Sequence, residues 1–505
     1  MISGKLDPTS DSGRSGDAAP SLAKAAVGGV AWVGSSYLIT RATLLISTVI
    51  LARALSPTDF GIYAAALAFI TYAEVINDLG VVQALILLPG DERRNDAGVV
   101  VSFAVSSLLV AAAMVSGPSV GRFFGQSDVG PILRVLSLSL LLRAFGQVPD
   151  AILIRELRFR QRFHANAWRA VVQGLVWIVL AIAGWGVWAL VYGYLAGYAV
   201  NSLIVWHFVE YRPGRSFWRV HWSTVQPLLT FAAPLVGSLL LLALINDIDY
   251  VIVGRRLGTT DLGYYTIAFR VPQMVISNSF LVFSQVMIPV LVRAGLEPAR
   301  LRRGYLRTVR IQAIFGLSVA ALLAVVAPLL VPVVFGSRWT PAVVPMIALS
   351  IYAVFRSLAW GATDVYKAMG RPRWAFWSCL AWLAALIPTL VFATDLGIAG
   401  VAWGQLAIGF VAMIAMHGVI LRELRLPLSK MAVAVRPALL AAFGTALGAS
   451  VRLWLPGPVV IRLAASLIAG IGLGVGLVYA SDREFLRRMR ALLLGRATTE
   501  PSWTA

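Results

Sequence analysis

Four arginines fall inside long apolar stretches of the chain: Arg41, Arg143, Arg270 and Arg356. A guanidinium stays protonated when desolvated and presents a planar fork of donors, so it is suited to holding a phosphate. At 1.5 Å per residue, Arg41, Arg143 and Arg356 lie near the middle of their stretches. A charge at that depth is costly and points to function by default. Two readings stand: the three converge on a diphosphate midway across a membrane, or each is neutralised by a carboxylate on a neighbouring helix. Arg270 lies nearer one boundary, at a depth comparable to Asp247 and Asp249. Those two aspartates are about 200° apart around a helix, so only one can face a cavity. Paired with Arg270, that carboxylate makes either a fixed salt bridge or a gate that breaks as substrate enters. Glu74 and Asp78 are one turn apart and share a face. Carboxylates held close in a low dielectric share a proton or cation, which suits a coupling site; with Arg41 on the adjacent stretch, they serve equally to neutralise it. Asp364, eight residues beyond Arg356 and about 80° around the helix, is a further candidate partner or gate residue.

The elements that must position these groups are membrane helices. The 505 residues are 59% hydrophobic and 13% charged, with a mean hydropathy of +0.80. Soluble domains carry about 25% charged residues, so this chain lacks the polar surface to fold in water. A hydrocarbon core needs about 20 apolar residues per helix. On that rule spans are expected at 27–52, 61–88, 97–117, 131–153, 166–184, 187–209, 227–254, 264–292, 309–334, 342–369, 374–393, 397–421, 432–454 and 459–480. Pro234, Pro272, Pro289 and Pro388 fall within spans and predict kinks, since neighbouring helices re-satisfy the freed carbonyls. Fourteen spans put both termini on one side. Of the 43 Lys and Arg, 31 fall on that side, 8 on the other and 4 within spans, which places both termini in the cytoplasm by the positive-inside rule. Five of the 31 run from Arg155 to Arg169. Residues 1–24, rich in Ser, Gly, Asp and Pro, read as a disordered cytosolic tail.

Several function classes are excluded. The net charge of +20 sits in short clusters between apolar runs, as orientation signals do, and no base-reading motif accompanies it, so nucleic acid is not a partner. Cys379 is the one cysteine, and His164, His207, His221 and His417 are scattered, so no metal site and no cofactor is expected. The sole Gly-Lys pair, Gly4-Lys5, is not part of a nucleotide-binding loop. Outer loops of at most about fifteen residues are too short for an external catalytic domain.

An internal repeat organises the chain. Residues 51–66 and 253–268 match at a constant offset of 202 in seven of sixteen positions. The pairs include Arg53/Arg255, Thr58/Thr260, Asp59/Asp261, Gly61/Gly263 and Tyr63/Tyr265. Asp59 and Asp261 are expected as N-caps of the second and eighth spans, and Gly61 and Gly263 as points of close helix approach. Tyr63 and Tyr265, near the outer mouth, either stack on sugar or belong to an interfacial aromatic belt. The copies are six helices apart, so the halves are parallel and related by an axis along the membrane normal. Transporters of that design bind substrate between the halves and rock them alternately open. The expected organisation is a tail (1–24), a six-helix bundle (25–210), a cytosolic linker (211–226), a second six-helix bundle (227–425), two further helices (426–480) and a cytosolic tail (481–505).

The motif Arg53-x-Leu-x-Pro-x-Asp-Phe-Gly-x-Tyr, with Gly80 and Ala84-Leu85-Ile86, resembles the polysaccharide transporters of the multidrug/oligosaccharidyl-lipid/polysaccharide exporter superfamily. So does Asp249-x-x-x-Val253-Gly254-Arg255-x-Leu257-Gly258, with Leu262-Gly263-x-Tyr265 and Pro272. The resemblance implies a bacterial inner-membrane flippase that moves undecaprenyl-diphosphate-linked oligosaccharide across the bilayer for polysaccharide export, with membrane lipids and possible polymerase and glycosyltransferase partners. A multidrug exporter and a peptidoglycan-precursor flippase of the same superfamily share the layout. Drug exporters should have an acid-rich, arginine-poor cavity, against the arginines here. A membrane polymerase, ligase or acyltransferase would need an outer loop or a His–Asp pair that the sequence lacks, so no enzyme is expected.

Overall fold

The computed structural model describes residues 43–78, 81–87, 92–214, 221–277, 279–280 and 298–481. Arg41, Gly80, Pro289 and both tails' far ends lie outside the described residues. Within them the chain is helical, with no strand. Where the expected spans fall on described residues they are helical; 27–42 of the first span and 281–292 of the eighth lie outside them. The N-terminal half holds α1 (Thr43–Ala54), α2 (Pro57–Asp78), α3 (Val81–Leu87), α4 (Glu92–Phe124), α5 (Val129–Arg155), α6 (Phe159–Ile182) and α7 (Val187–Phe208). The second half holds α8 (Trp222–Arg256), α9 (Thr259–Pro272), α10 (Pro298–Val334), α11 (Val343–Ala368), α12 (Pro372–Ala393) and α13 (Gly397–Glu423). The last helices are α14 (Leu428–Ala449) and α15 (Val459–Ser481). Ten described helical segments are long and apolar enough to cross a membrane, and the protein is a multi-pass membrane protein.

Apolar length alone misplaced several boundaries. Helix α6 starts at Phe159, seven residues before the expected span, and α10 starts at Pro298, eleven before. At 1.5 Å per residue, the 37 residues of α10 extend about 55 Å, against a hydrocarbon core of about 30 Å. The excess carries the basic run Arg300–Arg310 beyond the apolar layer. Pro272 is followed at once by a π-helical turn, Gln273–Ser277, where the i→i−4 ladder is interrupted. The third long helix of each half ends alike: α4 runs into Gly125 (φ 65°) and α10 into Gly336 (φ 106°), left-handed conformations that favour glycine.

The halves meet chiefly through α2 and α9, with α2 also on α5 and α8, and α9 on α11. Within the halves α4 pairs with α5, α6 with α7, and α11 with α13. The added pair α14–α15 leans on α10 alone of the twelve-span unit's long helices to any large extent. Its two helices are brought together by small residues: a Cβ on Gly448 would meet the Ala469 carbonyl at 2.3 Å.

Candidate functional site

The repeated motifs build the seam between the halves, at the end of the bundle where α1 and α8 finish and α2 and α9 begin. Thr58 and Thr260, equivalent positions of the two copies, hydrogen-bond to each other through their hydroxyls at 2.8 Å. A Cβ on Gly61 would lie 1.6 Å from the Thr259 carbonyl oxygen, and one on Gly263 would lie 1.9 Å from that of Pro57. Only glycine lets the two helix starts approach so closely. The arginines cross over. Arg53 donates to the Val334 carbonyl at 3.0 Å and to that of Val333, at the end of α10. Arg255 donates to the Phe123 carbonyl at 2.8 Å, at the end of α4. Each half's arginine therefore satisfies free carbonyls of the other half's corresponding helix. The N-terminal half is further held by Trp339, which is fully buried, packs edge-on against Phe60 and donates to the Ala52 carbonyl at 2.8 Å.

Two expectations about this region are corrected. Asp59 is not the N-cap. Ser56 is, and Asp59 is the third helical residue of a reciprocal capping box: the Asp59 amide donates to Ser56 Oγ (3.2 Å) and the Ser56 amide to Asp59 Oδ2 (2.9 Å). Asp261 likewise sits third in α9, behind Gly258 (φ 89°), which has no side chain to complete the box. Tyr63 and Tyr265 are 5% and 0% exposed, so they form neither an interfacial belt nor an open sugar platform. They were placed at the mouth by helix position, but the α2–α9 seam covers them.

Below the seam, the N-terminal half builds a polar cluster near mid-span. Glu74 (α2) receives Arg143 Nη1 (α5) on Oε2 at 2.9 Å and the Tyr194 hydroxyl (α7) on Oε1 at 2.8 Å. Arg143 Nη1 also donates to the Tyr198 hydroxyl at 3.0 Å. Arg169 stands with its guanidinium 4.6 Å from the Tyr198 ring centre. It comes from α6, well inside the helix, although the sequence assigned it to a cytosolic cluster; the early start of α6 carries it inward. Two guanidiniums thus flank the Tyr198 ring, and the carboxylate Glu74 is bonded to one of them, Arg143. Glu74 is bonded to Arg143 and Tyr194, and Asp78 closes α2 one turn on. We expect Glu74→Gln to lower the melting temperature, because breaking a largely buried pair leaves a charge uncompensated at a cost of ~3 kcal/mol, and to leave the protein inserted in the membrane. An unchanged melting temperature in detergent would show that Arg143 does not depend on Glu74.

The C-terminal half builds a second cluster. Arg356 (α11) is 2% exposed and stands 5.1, 5.6 and 5.1 Å from the ring centres of Phe269, Tyr352 and Trp360. One nitrogen donates to Ser277 Oγ at 3.3 Å in the π-helical turn; Nε and Nη1 have no hydrogen-bond partner among the described residues. Asp364 is not its partner: it pairs with Lys367 of its own helix at 3.2 Å, since the helical turn brings that lysine closer. Asp249 is buried, and its Oδ2 accepts from the Tyr265 hydroxyl (2.8 Å) and Gln405 Nε2 (2.9 Å). Asp247, two residues before, is only half-buried. Both aspartates lie within electrostatic reach of Arg356 and of Tyr72 across the seam. Arg270 acts in the same way on Tyr63 of the other half and on Tyr250. The sequence reading missed Arg169, Tyr194, Tyr198, Ser277 and Gln405. Polar residues at mid-depth of apolar spans were the signal available for Gln405 and the two tyrosines.

The profile of the polysaccharide biosynthesis protein family matches residues 50–344, more than half of the chain and all of the seam. The chain belongs to this family. Among curated relatives in the same functional area, it is 22% identical over 412 residues to the lipopolysaccharide biosynthesis protein WzxC of Escherichia coli (strain K12), covering 80% of this chain and 82% of that one. It is 23% identical over 370 residues to the teichuronic acid biosynthesis protein TuaB of Bacillus subtilis (strain 168), covering 71% and 74%. To the succinoglycan biosynthesis transport protein ExoT of Rhizobium meliloti (strain 1021) it is 25% identical over 341 residues, covering 65% and 66%. This family member shares its fold with the lipid II flippase MurJ in an inward closed conformation (TM-score 0.71, 13% identity, 90% of this chain and 99% of that). It also shares it with an inward-facing multidrug resistance MATE family transporter of the MOP superfamily (TM-score 0.59, 17% identity, 77% and 94%).

Proposed function

We propose that this chain is a flippase that moves a polyprenyl-diphosphate-linked oligosaccharide from the cytoplasmic to the outer leaflet of the bacterial inner membrane, with both termini in the cytoplasm. The observation that carries the reading is the mid-span pair Arg143 and Arg169, two guanidiniums set about Tyr198, with the carboxylate Glu74 bonded to Arg143. A dianionic linkage crossing that depth needs cationic donors in excess of local acids. A site for cationic drugs would need the reverse balance. Arg356, with two donors unpaired among the described residues and an aromatic cage around it, supplies a second contact when the halves rearrange, and Arg270 acts on Tyr63 across the seam. The Asp247–Asp249 pair and Asp78 are the places for a coupling proton or cation, because Glu74 and Asp364 have arginine and lysine partners. The seam of α2 and α9 is the outer gate, and rocking the halves about it gives alternating access. Polymerase and glycosyltransferases working on the same lipid-linked repeat are the expected partners.

Deletion of the gene tests the reading. Lipid-diphosphate-linked repeat units should accumulate on the cytoplasmic leaflet while surface polysaccharide disappears. Unchanged polysaccharide together with reduced efflux of cationic dyes would transfer the protein to the drug-exporting branch.

A further inference from the structure

A pocket of about 570 Å³ lies apart from the central clusters, between α4, α5 and α7, at the end of the bundle that the charge bias assigns to the cytoplasm. Its walls are Val99, Phe103, Phe145, Leu203 and Trp206, and its rim carries His207 and Arg212. The aromatic wall is ordered: Phe145 packs against Phe103 and Trp206 at 6.4 and 5.2 Å, and the Trp206 indole donates to the Phe145 carbonyl. Leu203 is 63% exposed, so the pocket opens sideways to where acyl chains lie.

Arg212 is held in place without being neutralised. Its Nη1 donates to the carbonyls of Val209 (2.6 Å) and Tyr211 (2.9 Å), and its guanidinium stands 5.8 Å from the Trp206 ring centre. No carboxylate forms an ion pair with it among the described residues. The nearby acid Asp96 accepts instead from the Tyr211 hydroxyl. Burial and that hydrogen bond hold the Tyr211 phenol well above its ordinary range, so it stays a donor. An apolar slot with an uncompensated guanidinium at the level of the leaflet's phosphates matches a lipid with an anionic head.

We propose that this pocket binds one anionic glycerophospholipid of the cytoplasmic leaflet, an acyl chain between α4, α5 and α7 and its phosphate on Arg212. A resident lipid fits better than the transported one. Arg212 lies beyond the end of α7, and a substrate whose diphosphate must travel to mid-span cannot stay anchored there. The bound lipid fills the lateral face of the N-terminal half and ties its rocking to the anionic content of the leaflet.

The test uses the full chain purified in detergent, titrated with phosphatidylglycerol or phosphatidylcholine and followed by thermal melting and native mass spectrometry. Phosphatidylglycerol should raise the melting temperature more than phosphatidylcholine and appear as one retained lipid per chain. Arg212→Gln should weaken that binding about fivefold, the equivalent of ~1 kcal/mol for one arginine at an anionic surface. Leu203→Trp, which blocks the slot and keeps the charge, should weaken it too and carries the test if Arg212→Gln fails to fold. Equal response to both lipids, or a selective response retained in both variants, overturns the proposal. So does displacement of phosphatidylglycerol by undecaprenyl phosphate mole for mole, which would give the slot to the tail of the transported lipid.

Discussion

Oxidation of the triple variant Cys379→Ser, Thr58→Cys, Thr260→Cys should arrest polysaccharide export, and a reductant should restore it. The native hydroxyls at these positions are 2.8 Å apart, and they sit on the seam that the halves must part to release substrate outward. Cys379, the one native cysteine, is removed so that the new pair is the only one able to bridge. A bond across this point holds the outer end closed, and alternating access stops because one of its two states is forbidden. A protease site inserted between α7 and α8 gives the cross-link a readout: the cut chain stays joined on a non-reducing gel. Export at the normal rate from a fully cross-linked population would show that this seam does not open during transport.

The second large effect is expected at Arg356. Arg356→Met should cut export by roughly a hundredfold or more, the equivalent of losing two charge-assisted hydrogen bonds of ~1.5–3 kcal/mol each, while leaving the melting temperature unchanged or raised. The two readouts separate substrate contact from structure. A buried cation with two donors that have no hydrogen-bond partner among the described residues costs the fold, and replacing a buried charge by an apolar side chain of similar volume is commonly neutral or stabilising. Were Arg356 a structural residue, the methionine variant would melt earlier and export would fall only in proportion to the lost protein. Arg356→Lys should not rescue, because an ammonium offers neither the planar face stacked among Phe269, Tyr352 and Trp360 nor the fork.

Hydropathy and charge bias made the helices and their order legible, since apolar length and loop cations are local properties of the chain. The offset of 202 located the seam, because Arg53, Gly61 and their copies stand in an unusual order in a chain otherwise rich in Ala, Leu and Val. What stayed hidden depends on rotation and on where helices begin. Arg160, Arg162, His164 and Asn166 lower the hydropathy at the start of α6, so the expected span opened only at 166 and Arg169, three residues in, was grouped with the cytosolic cations before it, yet the helix starts at Phe159 and runs through them all. The partners of Arg143 come from α2 and α7, and no spacing in the sequence relates Glu74 to Tyr198. Asp364 looked available to Arg356 on angle alone, but its own helix supplies Lys367 first. The capping box at Ser56 was readable, and naming Asp59 as the cap placed the helix start two to three residues late.

Thr58 touches its own counterpart, Gly61 meets the residues that lead into Gly263, and Gly263 meets those that lead into Gly61. Self-contact of equivalent residues is the signature of a twofold interface between identical subunits. The seam is thus what a homodimer of six-helix chains would need, kept inside one polypeptide. Away from the axis the two halves differ: the N-terminal half carries the Arg143–Glu74–Tyr198 cluster, the C-terminal half the Arg356 cage, and α14–α15 lie on one side only. The axis positions keep their match because each faces its counterpart across the seam, where a Cβ on either glycine would strike the other copy's backbone.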